Sequence, residues 1–282
     1  MPSPILRPPV LSSSDPRSLL REHGLHASRA LGQNFLSDPN TARRIVRLAE
    51  LGPDARVLEI GPGLGALTVA LAAACASVHA LEIDRHLIPI LEQVVHDLPN
   101  VTVEQGDALT WDFAALRDGP WACVSNLPYN VATPVVARIL EEAPHVTRML
   151  VMVQREVGDR LVAAPGSRIY GAVSVKVAYH ATARIVGAVP PTVFVPRPKV
   201  ESALVLLDRR AEPPVDVPSY DSLFRLVSAG FAHRRKMLRR ALVPVLGDDT
   251  GDVLVAAGVP PTARAEALDL ESWASLARAA AA

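Results

Sequence analysis

The sequence predicts an α/β domain built on a mostly parallel sheet with an antiparallel edge hairpin, followed by a small all-α domain. Two observations carry this. Over residues 56–153, short β-branched runs alternate with helical patterns, the order that winds a parallel sheet with helices on both faces. Over residues 219–279 only helical patterns remain, beyond a polar stretch with three prolines at 210–218.

Taken in order, residues 1–17 are rich in Pro and Ser and are expected to be a disordered tail. A helix over 38–50 places Ile45, Val46 and Leu48 on one side and Arg43, Arg44 and Arg47 on the other. Residues 56–60 read as a strand ending in Gly61-Pro-Gly-Leu-Gly65, and 67–74 as the helix after it. A second strand (77–83), a second helix (85–95) and a third strand (101–105) follow. A fourth strand (121–125) runs into Asn126-Leu-Pro-Tyr-Asn130. Thr133 is suited to cap a helix with Pro134 at its first position, running to about residue 142. Residues 148–153 form a fifth strand; 172–179, 183–189 and 202–207 read as further strands, the first two as a hairpin. The expected domains are therefore 18–209, a linker at 210–218, and a helical domain at 219–282.

Composition narrows the function classes. The chain has 282 residues, 49% of them apolar and 21% charged, with a formal net charge of zero. That is enough for a sizeable core, and the balance alone points to no polyanionic partner. The distribution does. Between Leu223 and Val243 stand Arg225, Arg234, Arg235, Lys236, Arg239 and Arg240, with no Asp or Glu. Read as one amphipathic helix, residues 231–242 turn Phe231, Met237, Leu238 and Leu242 inward and the arginines outward. An unbalanced cationic face of that kind suits phosphate. Cys75 and Cys123 stand apart in apolar surroundings, so neither a disulfide framework nor a metal site is expected. No stretch reads as a secretory leader or a bilayer span, so the cytoplasm is expected, with no membrane partner. No unexplained apolar helix face stands out, so a monomer is expected.

In an open parallel sheet, ligands bind beyond the carboxyl ends of the strands. Three signals lie there. The glycines of 61–65 permit close backbone approach and a tight turn into a helix. Glu82 ends the next strand, where a carboxylate takes the two hydroxyls of a ribose. Asp107, after the third strand, suits an adenine amine. The spacing Gly61-x-Gly63-x-x-Ala66 also fits a relaxed dinucleotide fingerprint, which would make a dehydrogenase. Gly65 and the segment 126–130 favour S-adenosylmethionine over a nicotinamide.

Residues 126–130 suit the methylation of an exocyclic adenine amine. That nitrogen shares its lone pair with the ring and is a poor nucleophile. Two acceptors aimed at its hydrogens localise the pair and stabilise the positive charge that grows during transfer. Asn126 offers a side-chain carbonyl. Leu127 offers a backbone carbonyl whose conformation Pro128 restricts, and Tyr129 offers a ring for the base to stack on. The base must be flipped out or single-stranded.

These residues resemble those of the 16S ribosomal RNA dimethyladenosine transferase family. The matching segments are LGQNFLSD (31–38), VLEIGPGLGALT (57–68), LEID (81–84), GDAL (106–109), NLPYNVATP (126–134), MVQREVGDRL (152–161), VFVPRPKVESALV (193–205), FAHRRKMLRRAL (231–242) and RAEALDL (264–270). They keep the family's order and cover the chain from about residue 28 onward. The chain departs from the pattern at Ala30-Leu31, where a more aromatic approach to GQNFL is usual.

The resemblance implies a Rossmann-like S-adenosylmethionine-dependent methyltransferase fold. It implies transfer of four methyl groups to N6 of two adjacent adenosines in a hairpin loop near the 3′ end of 16S RNA, within the 30S subunit, as part of its biogenesis. Carried over by position, it assigns Asn34, Leu36, Gly61, Gly63, Glu82, Ile83, Asp107, Ala108 and Asn126 to the cofactor. It places Asn126, Leu127, Pro128 and Tyr129 at the reacting base, with Phe194 stacking opposite Tyr129, and no metal. Arg197, Lys199, Arg234, Arg235, Lys236, Arg239 and Arg240 fall to RNA. Three rivals remain: the related 23S RNA methyltransferases, a DNA adenine methylase (which usually carries two prolines where Leu127-Pro128 stand), and a non-catalytic assembly factor.

Overall fold

The computed structural model describes residues 15–116 and 119–282. Of the tail expected to be disordered, residues 1–14 lie outside the described residues, and the last three begin a helix instead. Asp15 accepts from the Arg17 N–H (3.2 Å), and Pro16 opens α1 (Pro16–Glu22), where its missing N–H costs nothing.

After the short strand β1 (Phe35–Leu36), α2 (Pro39–Ala49) starts at Asp38, which accepts from the Asn40 and Thr41 N–H groups. Strands β2 (Arg56–Ile60), β3 (Ser77–Glu82), β4 (Val101–Gln105), β5 (Trp121–Asn126) and β6 (Val146–Gln154) follow. Between them lie α3 (Ala66–Ala72), α4 (Ile88–Val95) and α5 (Ala132–Glu142). After β6 come α6 (Arg155–Leu161), α7 (Ala172–His180), β7 (Ala181–Val189), β8 (Phe194–Val195) and β9 (Ser202–Arg209).

The described residues form a seven-stranded sheet in the order β4-β3-β2-β5-β6-β9-β7, and β1 pairs separately with β8. The pairs among β2 to β6 are parallel. Val57, Leu58, Glu59 and Ile60 are all buried, the mark of a strand covered on both faces. The last two strands of the sheet turn over. The Arg155 N–H, just past β6, donates to the Glu201 carbonyl just before β9 (3.0 Å). The Arg210 N–H, just past β9, donates to the His180 carbonyl just before β7 (2.9 Å), so β9 runs against both neighbours.

The antiparallel edge is therefore made by β7 and β9, and one of its expected members is absent. Residues 172–179 form a helix, not a strand. Their alternating valines mimic a strand period, but the helix start is well satisfied. The Ser174 hydroxyl accepts from the Gly171 N–H (3.1 Å) and donates to the Arg160 carbonyl (2.6 Å). Val175 and Tyr179 then pack in a buried cluster with Leu223, Phe224 and Leu226. Tertiary packing outweighed local propensity.

That packing also moves the domain boundary. The chain groups into two compact units. One holds the described residues up to Gly158 together with Ile185–Leu207; the other holds Asp159–Arg184 and Asp208–Ala282. The helical unit thus takes a segment, 159–184, that the sequence placed with the sheet. Residues 210–218 carry no helix or strand, yet Val215 and Val217 pack against the helical core.

In that second unit the helices after α7 are α8 (Tyr220–Ala232), α9 (Leu238–Ala241), α10 (Val243–Leu246), α11 (Thr250–Ala256) and α12 (Leu270–Ala279). Trp273 is fully buried, and a Cβ on Gly230 would meet its ring at 2.5 Å, so α8 approaches α12 closely because residue 230 is glycine. The basic segment is not one helix. The α8 helix ends at Ala232, His233 leaves the helical conformation, and a turn leads to α9. The Arg234 guanidinium turns back to the Arg168 carbonyl (2.8 Å) and to Glu266 (3.1 Å), and the Leu238 N–H donates to the Ala263 carbonyl (2.8 Å). These tertiary bonds replace the helical ones.

Candidate active site

A cavity of about 280 Å3 opens at the carboxyl ends of β2, β3, β4 and β5. The loop from β2 to α3 forms its floor. Gly61 and Gly63 have φ of 68° and 57°, a region that excludes ordinary side chains. Space is tight as well: a Cβ on Gly61 would lie 3.2 Å from Pro128 Cδ, and one on Gly63 would lie 2.9 Å from the Phe35 ring. The loop is thus threaded between the first strand and the 126–130 segment, and only glycine fits.

Glu82 is 4% exposed at the end of β3. Its Oε2 accepts from the Gly63 N–H (3.0 Å) and its Oε1 from the Asp84 N–H (2.9 Å). Burial pushes its carboxyl above the ordinary value, and these two bonds only partly oppose that. The side chain is fixed, with lone pairs left on both oxygens for hydroxyl donors. Ile83 and Leu109, both exposed apolar residues, line the same cavity. Asp107 Oδ1 accepts from the Leu109 N–H (2.8 Å), which holds the 107–109 turn in shape. From α5, the Arg138 guanidinium donates to the Ala108 carbonyl (2.8 Å).

Glu59 was not singled out in the sequence, yet it lines the cavity at 1% exposure. Its Oε2 has no hydrogen-bond partner among the described residues; the Thr68 hydroxyl lies beside it without a well-formed bond. Burial, with the Glu82 charge adding to it, pushes its carboxyl to about 8 from an ordinary 4.5. Only its placement at the end of a buried strand distinguishes it from a surface glutamate, and the sequence does not show that.

The 126–130 segment forms one wall, and α5 begins directly behind it. Val131 precedes that helix and Pro134 is its third residue, so it starts ahead of the cap expected at Thr133. The Pro128 carbonyl accepts from the Val131 N–H (3.2 Å), which starts the helical turn within the motif. Asn126 Nδ2 donates to the Asn34 carbonyl (3.1 Å). That bond fixes which end of the amide is the acceptor, leaving Oδ1 for a ligand. The Leu127 N–H donates to the Met152 carbonyl (3.1 Å). The Tyr129 hydroxyl shares a hydrogen bond with Ser202 (2.8 Å), and burial raises its ionisation above the ordinary phenol value.

Residues 28–36 form a strap whose part from 31 to 36 lines the cavity, Asn34 and Leu36 included. Three contacts secure it: Asn126 to Asn34, Asn130 Nδ2 to the Ala30 carbonyl (3.1 Å), and Gln33 Nε2 to Asp84 Oδ2 (2.7 Å). Gln33 and Asn130 had no sequence signal beyond being amides in the matched segments.

The structure thus brings Asn34, Leu36, Gly61, Gly63, Glu82, Ile83, Asp107, Ala108, Asn126, Leu127, Pro128 and Tyr129 around one cavity. Phe194 is 3% exposed within the core cluster of Leu36, Ile45, Val189 and Leu204, pairs with Leu36 across β1 and β8, and is not in the lining of this cavity. Arg197 and Lys199 are exposed in the loop between β8 and β9, and Arg235, Lys236, Arg239 and Arg240 are exposed around the turn after α8. Arg234 is half-buried and pairs with Glu266. Among the described residues, no helix is long and apolar enough to cross a membrane, and no cluster of three His, Cys, Asp or Glu could hold a metal.

A Rossmann-like sheet with a glycine-floored cavity at its strand ends, lined by Glu82 and Asp107, and an Asn-Leu-Pro-Tyr wall defines the S-adenosylmethionine-dependent methyltransferase class. The family model for ribosomal RNA adenine dimethylase matches residues 24–282, and the chain belongs to that family. It is 44% identical to ribosomal RNA small subunit methyltransferase A of Cutibacterium acnes, over 96% of this chain and 94% of that one. It is 40% identical to the protein of the same name from Enterococcus faecalis, over 96% of both. Among solved structures, the 23S rRNA methyltransferase ErmE matches with a TM-score of 0.66 at 30% identity, covering 88% of this chain and 100% of that one. A dimethyladenosine transferase from Plasmodium falciparum shares the fold, with a TM-score of 0.71 at 22% identity over 86% of this chain and 95% of that one.

Proposed function

We propose that this enzyme dimethylates N6 of two adjacent adenosines in a hairpin loop near the 3′ end of 16S RNA within the 30S subunit. It would do so in the cytoplasm, as a monomer, as a step in small-subunit biogenesis. The observation that carries the reading is the Asn126 amide. Its Nδ2 is committed to the Asn34 carbonyl, so Oδ1 is presented as an acceptor next to Leu127-Pro128-Tyr129 on the cavity wall.

The residues present fit S-adenosylmethionine. The glycine floor runs closely between Phe35 and Pro128 beside the cavity, and Glu59 holds a buried carboxyl oxygen without a partner among the described residues. Glu82 would take the ribose hydroxyls, Asp107 the adenine amine, and Ile83 and Leu109 the flanks of the base. Glu59 would face the cationic methionine end. When bound, the cofactor supplies an electrophilic methyl on a sulfonium. The protein's own part is to hold the amine. Asn126 Oδ1 and the Leu127 carbonyl accept its two hydrogens, localise the nitrogen lone pair and stabilise the charge that develops. Tyr129 carries the base on its ring, and alignment supplies much of the remaining rate. Exposed Arg197, Lys199, Arg235, Lys236, Arg239 and Arg240 would meet RNA phosphates.

The test is methyl transfer from labelled S-adenosylmethionine to unmethylated 30S particles, with 50S particles and naked RNA in parallel. The reading expects label as N6,N6-dimethyladenosine in 16S RNA of 30S particles only. The likeness to ErmE supports a second reading, modification of 23S RNA, which label in the 50S arm would establish in its place.

A further inference from the structure

Ser202 opens β9, is completely buried, and places its hydroxyl oxygen 2.8 Å from the Tyr129 hydroxyl. The strand around it is anchored. The Arg155 N–H holds the Glu201 carbonyl at 3.0 Å, and β9 lies between β6 and β7 rather than at the sheet edge. Tyr129, in contrast, sits in the segment between β5 and α5, outside regular structure. A half-buried ring there can swing about its Cα–Cβ bond unless its far end is tied. The hydroxyl is that far end.

We propose that Ser202 is a positioning residue for methyl transfer: it tethers the Tyr129 hydroxyl and so fixes the position of the ring on which the target base stacks. This rests on the reading that Tyr129 stacks on the target adenine. It explains why the position carries tyrosine when phenylalanine would stack as well. The hydroxyl serves as an anchor and takes no part in proton transfer. It also gives the loop 196–201 a second consequence. That loop exposes Arg197 and Lys199 and ends at Ser202, so the group holding the base platform is one residue from the segment that would hold phosphate. Ser202 is fully buried, so its hydroxyl is shut off from water and the bond to Tyr129 acts as a directional constraint on the ring's far end.

The test uses the full chain and unmethylated 30S particles, with single-turnover methyl transfer, the KM for S-adenosylmethionine and the pH profile as readouts. Ser202→Ala and Tyr129→Phe should each slow transfer by about tenfold, the size of one hydrogen bond. The double variant should be no slower than either single, because both changes remove one contact. The KM for S-adenosylmethionine and the pH profile should stay as in the wild type, and Ser202→Thr should restore the rate. Additive losses, a wild-type rate in Ser202→Ala, or no rescue by threonine would overturn the tether. A Ser202→Ala chain that fails to fold leaves Tyr129→Phe to test the same bond from its other end. Tyr129→Ala separates the two ideas: near wild-type transfer there would remove the stacking reading itself. A severe loss there, with Tyr129→Phe unaffected, would remove only the tether.

Discussion

The strand-end cavity and the basic surface segments are built on opposite terms. Around the cavity, four polar side chains that would bind cofactor or base are already engaged by the protein, Glu59 being the exception: Glu82 by two backbone N–H groups, Asp107 by one, Asn126 by the Asn34 carbonyl, and Tyr129 by Ser202. The positions are set before any ligand arrives, which is what electrostatic preorganisation requires. Around Arg197 and Lys199, and around the turn after α8, the cations are exposed and sit on loops or a four-residue helix. Such groups supply affinity through counterion release and tolerate loss one at a time. The one arginine in the turn with a firm ion pair, Arg234, spends its charge on Glu266. The difference teaches where damage should be abrupt and where it should be graded.

For cofactor binding, the sharpest break should come at Glu82. Glu82→Ala removes the ribose acceptor and leaves the Gly63 and Asp84 N–H groups without their partner. Bonds to a charged group are each worth about 1.5–3 kcal/mol, so the Kd for S-adenosylmethionine should rise by roughly 10- to 100-fold, read by calorimetry. A change within twofold would place the cofactor elsewhere.

Glu59 should show its effect through pH. Its carboxyl keeps a proton in the folded state up to about 8, while the unfolded chain loses it near the ordinary 4.5. The stability this proton contributes is full below 4.5 and is lost as pH rises to about 8. Glu59→Gln removes that dependence. Melting curves of the ligand-free proteins should therefore diverge with rising pH, the wild type losing stability relative to the variant until about pH 8 and running parallel beyond it. Parallel curves throughout would mean that Glu59 is ionised in the folded state.

The smallest effect should come from the surface. Arg239→Ala with Arg240→Ala should weaken 30S binding only several-fold at moderate salt. It should also flatten the dependence of log affinity on log salt by roughly one to two units. An unchanged slope would remove these arginines from the RNA interface.

The two regions also differ in how much of them the sequence reveals. Gly61, Glu82, Asp107 and Asn126 are legible because short segments at strand ends carry both the fold signal and the chemistry. What escapes is whatever depends on tertiary partners. Gln33 meets Asp84 51 residues away, Asn130 meets Ala30 across 100, and Tyr129 meets Ser202 across 73. Residues 172–179 have the β-branched alternation of a strand, but the Ser174 bonds and the helical core make them α7. Phe194 has the sequence surroundings of a stacking residue, and its burial against β1 and the sheet core is not visible in them. The basic segment reads as one helix because its apolar spacing continues past Ala232; the turn is set by Glu266 and Ala263, which lie outside the segment.

The central claim is that the Asn126 side-chain oxygen activates the target amine. The most direct test is single-turnover methyl transfer to unmethylated 30S particles by Asn126→Ala, with particle binding and cofactor binding measured on the same preparation. The predicted result is a rate lowered by about 100- to 1,000-fold, the usual cost of removing one preorganised group at a developing charge, with particle binding unchanged. A rate within about threefold of wild type, with both ligands bound, would contradict the account.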